Sequence, residues 1–282
     1  MSDLHSLNEA INKRAGRKLL PSIAVSLLLL VAIFSSIIYL PIAFALLVGT
    51  AVLLASRELI AAFHAKGIEV RFLHIALATG ALLSSAWFAG LPGLSISLVI
   101  AMIALLLIQL TNGVEGFVKN ATASIFALVY PGFVAGFIFL LGRADNGFEQ
   151  ITTLVILVGC NDTFAYLVGV IAGKHPLAPK ISPKKSWEGF IGGLIFTSIG
   201  SALAFYYFLD RHPYIGALAG FLGVLAATVG DLVESAIKRD LAIKDMGNLL
   251  PGHGGMFDRI DSVLITAPVL WCVIELLKHF AS

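Results

Sequence analysis

Charge is scarce in this chain: Asp, Glu, Lys and Arg supply only 13% of 282 residues, about half the share found in a soluble domain. Apolar residues take up the difference, at 58%. One soluble core cannot hide that surplus, so the composition describes an integral membrane protein. Net charge is nearly absent too, at +2, which argues against general nucleic-acid binding. The cysteines number two, and both Cys160 and Cys272 sit inside apolar runs. They read as small buried hydrophobes and exclude a disulfide framework or a Cys-rich metal centre. Walker loops and Rossmann fingerprints are missing, so a nucleotide would have to be held by other means. Internal repeats, low-complexity tracts and long loops are missing as well. The first apolar run is too long for the h-region of a cleaved signal peptide.

What is present is a succession of apolar runs. Residues 1–18 are polar, with Leu4, Leu7 and Ile11 at helical spacing ahead of Lys13, Arg14, Arg17 and Lys18, which predicts an interfacial helix. Residues 19–56 carry no charge. Since about 20 helical residues cross the hydrocarbon, they predict two spans turning near Pro41. Residues 72–114 predict another pair, turning near Gly90–Gly93. Further spans are expected over 120–142, kinked at Pro131–Gly132, and over 151–173, interrupted by Asn161–Asp162. Three more follow at 189–209, 212–230 and about 262–277. The fold class is therefore all-α: a polytopic membrane protein of about nine transmembrane helices. With the N-terminus cytoplasmic, only Arg143, Arg211 and Lys278 of the 19 Lys and Arg fall outside. The positive-inside rule thus orients the chain with its N-terminus in and its C-terminus out.

Charge concentrates in one stretch, Asp231 to Asp261 (DLVESAIKRDLAIKDMGNLLPGHGGMFDRID). On a helix continuing from 212–230, Asp231, Ser235 and Lys238 share a face. The plainer reading there is a helix end with a Glu234–Lys238 pair at i,i+4. Asp258 and Asp261 share a face at the start of the last span, where helix N-terminal stabilisation is the plainer account. Three carboxylates at the inner ends of consecutive spans converge only around a cation. All-oxygen donors without a His or Cys cluster suit a hard ion, Mg²⁺ first. Asp231, Asp258 and Asp261 are the candidate metal ligands, with Arg259 as counter-charge or phosphate contact. The turn PGHGG, with His253 and Gly254, gives a backbone free to approach an anion closely. Residues 174–188 hold Lys174, Lys180, Lys184 and Lys185, then Ser186. They either set orientation and attract anionic lipid or bind phosphate. Their prolines and Trp187 favour one fixed shape and the second reading. Asp162, an ionisable group within a span, is a functional candidate by default, with pairing to a lysine as the structural alternative. A cation site, phosphate-seeking cations and a membrane that supplies lipid are the parts that phosphoryl or nucleotidyl transfer needs.

The 27 residues Ser235–Asp261 resemble, without departure, the signature of the phosphatidate cytidylyltransferase (CDP-diacylglycerol synthase) family. Upstream, NDTFAYLVGVIAGKHPLAPKISPKKSWEGFIGG is similar to the same family, with Ser186 where threonine is commoner. The likeness covers roughly 160–262; the first 120 residues share only apolar character. It implies an enzyme that joins CTP to phosphatidic acid, yielding CDP-diacylglycerol and pyrophosphate, with Mg²⁺ and a monovalent cation such as K⁺. Carried over by position, Asp231, Asp258 and Asp261 hold metal and, with Lys238, form the catalytic set. Lys238, Arg239, Lys244, His253 and Arg259 meet phosphates. Asp162, Lys184, Lys185, Ser186, Ser235 and Gly254 line the same cavity. The chain then reads as one integral membrane domain over 1–282: interfacial helix 1–18, scaffold spans 19–120, and a catalytic half 121–282 with cytoplasmic loops 174–188 and 231–261. It belongs in the cell's inner (plasma) membrane, its site facing the cytoplasm. Its partners are CTP, inner-leaflet phosphatidic acid and membrane lipids; nucleic acid is excluded and a homodimer is compatible. Two rivals stand beside this reading. A CTP-dependent polyprenol kinase needs the same contacts but releases CDP. A cation-coupled transporter would use intramembrane Asp and broken helices, but here charge gathers at one face.

Overall fold

The computed structural model describes residues 19–247 and 254–281. The interfacial helix expected over 1–18, and His253, lie outside those residues. The described chain is helical apart from one short hairpin. Helices α1 (Leu19–Tyr39) and α2 (Pro41–His64) break where the sequence predicts. Pro41 opens α2 at the position where a missing N–H costs nothing, and Leu40 before it is driven out of helical geometry (φ −151°, ψ 80°).

Helix α3 (Phe72–Thr111) is interrupted at Gly90, whose φ of 69° and ψ of −153° belong to glycine alone. The chain folds back there. A side chain on Gly93 would meet the Ser85 carbonyl at 2.7 Å, and His74 and Gln109, near opposite ends of α3, line one cavity of about 390 Å³. Arg143 tethers the turn by donating from Nε to the Trp87 carbonyl at 2.7 Å. One helical element thus contains two antiparallel halves.

Helix α4 (Phe117–Ala127) passes through a π-helical turn, Leu128–Phe133, into α5 (Val134–Gly142). Pro131 lies in that turn and removes one ladder donor. The expected kink is there. Helix α6 (Gly147–Ala172) runs without a break, which corrects the interruption expected at Asn161–Asp162: the apolar run is broken, the helix is not.

Residues 174–186 form no helix, as expected, but they do form strands. β1 (Pro176–Ala178) and β2 (Ser182–Ser186) pair antiparallel. Glu188 anchors the hairpin, accepting from the backbone N–H of Lys174 at 3.0 Å and of His175 at 3.2 Å. Helices α7 (Trp187–Phe208), α8 (Pro213–Asp240) and α9 (Phe257–Ala281) complete the chain.

Among the described residues, seven helical segments are long and apolar enough to cross a membrane. Large apolar side chains also cover the outside, among them Phe88, Ile171 and Tyr207 at more than 70% exposure. A soluble protein buries such residues; a bilayer solvates them.

Candidate active site

The end of α6, the β-hairpin, the start of α7, the end of α8 and the start of α9 enclose a cavity of about 680 Å³. Of the residues singled out in the sequence, Asp162, Lys184, Lys185, Ser186, Asp231, Ser235, Asp258, Arg259 and Asp261 line it. The positions lie up to a hundred residues apart, and the fold collects them into one wall.

Gly230 is the reason Asp231 sits where it does. A Cβ there would lie 2.5 Å from the Asp261 carbonyl, so only glycine lets α8 and α9 meet backbone to backbone. The contact sets the carboxyls of Asp231 and Asp261 within hydrogen-bond reach of each other. Asp261 is buried, at 7% exposure. Asp231 is held from two further sides: Ser262 Oγ donates to Oδ1 at 2.6 Å, and Lys185 from β2 forms an ion pair with Oδ2. Asp162 faces the same space, exposed to the cavity, and accepts from Asn161 Nδ2 at 3.2 Å. Its carboxylate interacts electrostatically with Asp231, Lys185 and Arg259. The lysine pairing offered for Asp162 is not formed among the described residues: Lys185 pairs with Asp231 instead.

A second cluster stands beside the first. Lys238 Nζ lies 2.7 Å from Glu234 Oε2 and 2.9 Å from Asp258 Oδ1. The i,i+4 pair expected along α8 is thus formed, with Asp258 as a third member. Asp258 Oδ2 accepts from Gly255 N–H at 2.8 Å and Met246 N–H at 3.2 Å. Both its oxygens are occupied, in a cluster separate from the Asp231–Asp261 pair. Among the described residues, no three His, Cys, Asp or Glu are grouped to hold a metal ion. The donor set that fits a hard cation is the pair of facing carboxylates, where repulsion between like charges at short range is relieved by a positive ion. Glu234, for which a helix-end pair was the plainer of two readings, lines the cavity. It keeps Oε1 buried without a hydrogen-bond partner among the described residues.

The remaining candidates are placed less centrally. Ser186 lines the cavity, but its Oγ also accepts from Gly189 N–H at 3.1 Å, capping α7. Arg239 turns to the hairpin, with Nε 3.4 Å from the Ile181 carbonyl. Lys244 is exposed beyond the cavity lining, and Gly254 takes a left-handed φ of 78° in the turn before α9. The lining also has an apolar side, Tyr166, Val170, Leu177 and Phe190. Sequence reading left these unremarked, since apolar residues in a membrane helix carry no signal of their own.

Carboxylates, lysine and arginine thus share one cavity with apolar side chains. Such a lining suits a molecule with a multiply charged head and an apolar remainder. Sequence comparison agrees with that chemistry. The profile of the cytidylyltransferase family matches residues 22–277. The chain is 35% identical over 280 residues to a phosphatidate cytidylyltransferase of Mycobacterium leprae (strain TN), spanning 94% of this chain and 90% of that protein. It is 42% identical over 153 residues to a phosphatidate cytidylyltransferase of Staphylococcus aureus (strain COL), spanning 54% of this chain and 58% of that one. The chain belongs to the cytidylyltransferase family.

Proposed function

We propose that the chain transfers the cytidylyl group of CTP to phosphatidic acid at the charged cavity, giving CDP-diacylglycerol and pyrophosphate. The observation that carries this is one cavity lined both by Asp231, Asp261, Lys185 and Arg259 and by Tyr166, Val170 and Phe190. A phosphatidate oxygen attacks the α-phosphorus of CTP. A new P–O bond forms as the bond from the α-phosphorus to the bridging oxygen breaks, and pyrophosphate leaves with the electron pair. The nucleophile is already anionic, so no strong general base is required, which suits a lining without a Ser–His or His–Asp pair. The difficulty is to bring two anions together, and Lys185, Arg259 and Lys184 supply positive charge for that purpose. Lys185 is anchored on Asp231, which fixes its position before substrate arrives.

Asp231 and Asp261 would hold Mg²⁺, which when bound polarises phosphate oxygens and offsets their charge. Asp258 would act beside them by fixing Lys238 and the turn before α9. A companion K⁺ would need oxygen donors of its own, and the buried Glu234 Oε1 could serve as one of them. The two halves of α3, counted separately with α1 and the remaining spans, support nine crossings. Lysine and arginine concentrate at the cavity end, which supports an N-terminus in the cytoplasm and a site open to CTP from that side. The phosphatidate tail would enter from the inner leaflet past Tyr166 and Val170.

Purified protein in phosphatidate liposomes, supplied with Mg²⁺ and labelled CTP, tests the reaction. Equal yields of CDP-diacylglycerol and pyrophosphate are expected. Release of CDP with a newly phosphorylated lipid would instead mark a kinase.

A further inference from the structure

Glu58 lies in α2, 198 positions before Met256, and the fold brings its carboxylate to the first turn of α9. Oε1 accepts from Met256 N–H at 3.0 Å and Oε2 from Phe257 N–H at 2.9 Å. Those are two of the donors that a helix start leaves unpaired, and a carboxylate there also meets the positive end of the helix dipole. Both flanks of the turn press on the same group. A Cβ on Gly247 or on Gly255 would run into the Glu58 carboxyl and have to displace it. Gly255 also packs against Gly247, with 2.8 Å from its would-be Cβ to the Gly247 nitrogen.

From the opposite side Asp258 grips the same turn through Met246 N–H and Gly255 N–H, and is itself fixed by Lys238. The base of the turn is therefore held between two carboxylates, one from the scaffold half and one from the cavity half. The helical turn that follows carries Asp258, Arg259 and Asp261 into the cavity. Its depth and rotation depend on where Met256 and Phe257 are pinned.

We infer that Glu58 is a positioning residue for the transfer reaction, setting the first turn of α9 so that Arg259 and Asp261 take their places in the cavity. The inference rests on the function proposed above. It makes the scaffold half a working part of the site, not only its support. The chemistry calls for glutamate: two N–H donors need two acceptor oxygens. Glutamine presents one acceptor and turns its NH₂ group against a donor. Aspartate keeps both acceptors but is one methylene short.

The test compares wild type, Glu58→Gln and Glu58→Asp as full-length protein in phosphatidate liposomes. Turnover is measured at varied CTP and varied phosphatidate, with elution profile and melting curve recorded in detergent. Losing one charge-assisted acceptor and opposing one donor is expected to lower kcat by roughly 10–100-fold. The KM for phosphatidate should stay near wild type, the elution profile should be unchanged, and Glu58→Asp should recover part of the turnover. Wild-type kcat in Glu58→Gln overturns the inference. So does loss of the folded elution profile in both variants, which assigns Glu58 to folding alone. If wild type itself makes no CDP-diacylglycerol, the function is what fails, and that outcome is separate from either of these.

Discussion

The two halves of the molecule differ in where glycine lets separate helices approach. Between Pro41 and Gly142, Gly136 and Gly142 make room for large side chains. A Cβ on Gly142 would strike the ring of Phe44 at 2.5 Å, and one on Gly136 would strike Leu94 at 2.7 Å. Phe44, Leu82, Leu94 and Leu141 are fully buried there. In α7 and α8 four glycines meet the backbone of a neighbouring helix instead: Gly189 the Ala165 carbonyl at 2.6 Å, Gly216 the Ser201 carbonyl at 2.5 Å, Gly220 the Ser198 Cα at 2.7 Å, and Gly230 the Asp261 carbonyl at 2.5 Å. Side-chain packing yields to a substitution by shifting a rotamer. Backbone packing has no such give, and it fixes the spacing of whatever the helices carry. The half that carries the charged groups is the half in which neighbouring helices meet backbone to backbone.

Substitutions in each half should separate these two kinds of packing. Asp261→Asn removes one of the two facing carboxylates without changing shape. Turnover in the liposome assay should fall by roughly 10³-fold, the scale of losing a charge-stabilising group in an active site. Near-normal turnover would take Asp261 out of the chemistry. Gly230→Ala leaves every charge in place and forces α8 from α9. Since a displacement of about 1 Å can cost about 10²-fold, kcat should drop by about that much while the protein remains folded in detergent. A silent Gly230→Ala would show that the backbone contact does not set the carboxylates. Phe44→Ala opens a void in the scaffold half. Thermal stability should fall by about 2 kcal/mol, with turnover per folded molecule within about twofold of wild type. A catalytic loss matching that of Gly230→Ala would erase the distinction between the halves.

Much of this was legible before the structure. Pro41 and Gly90–Gly93 marked the turns of both early hairpins because proline and glycine fix backbone geometry locally. Asp231 and Asp162 stood out because charge is expensive in or beside an apolar run, Asp261 because it shares a helix face with Asp258, and Lys185 because it sits in a lysine- and proline-rich loop. What escaped was non-local. Glu58 has no neighbour in sequence to explain it; its partners, Met256 and Phe257, are backbone groups in the last helix. The strand pairing of 176–186 was hidden by its prolines, which read as irregular loop, although Pro176 and Pro183 both fit in a two-stranded ribbon. Asn161 and Asp162 were expected to interrupt α6, yet Asn161 donates to Asp162, which faces a wet cavity, and the helix runs on. Lys238 was expected among the phosphate contacts. It is engaged by Glu234 and Asp258, a pairing that spacing revealed only for the residue four positions away.

The pairing of Asp231 with Asp261 around a divalent ion is the claim on which the mechanism depends, and ion binding reports on it without turnover. Full-length protein titrated with Mn²⁺, as a paramagnetic stand-in for Mg²⁺, should bind the ion saturably in wild type. Binding should weaken at least about tenfold in both Asp231→Asn and Asp261→Asn. Equal Mn²⁺ affinity in all three proteins would contradict it.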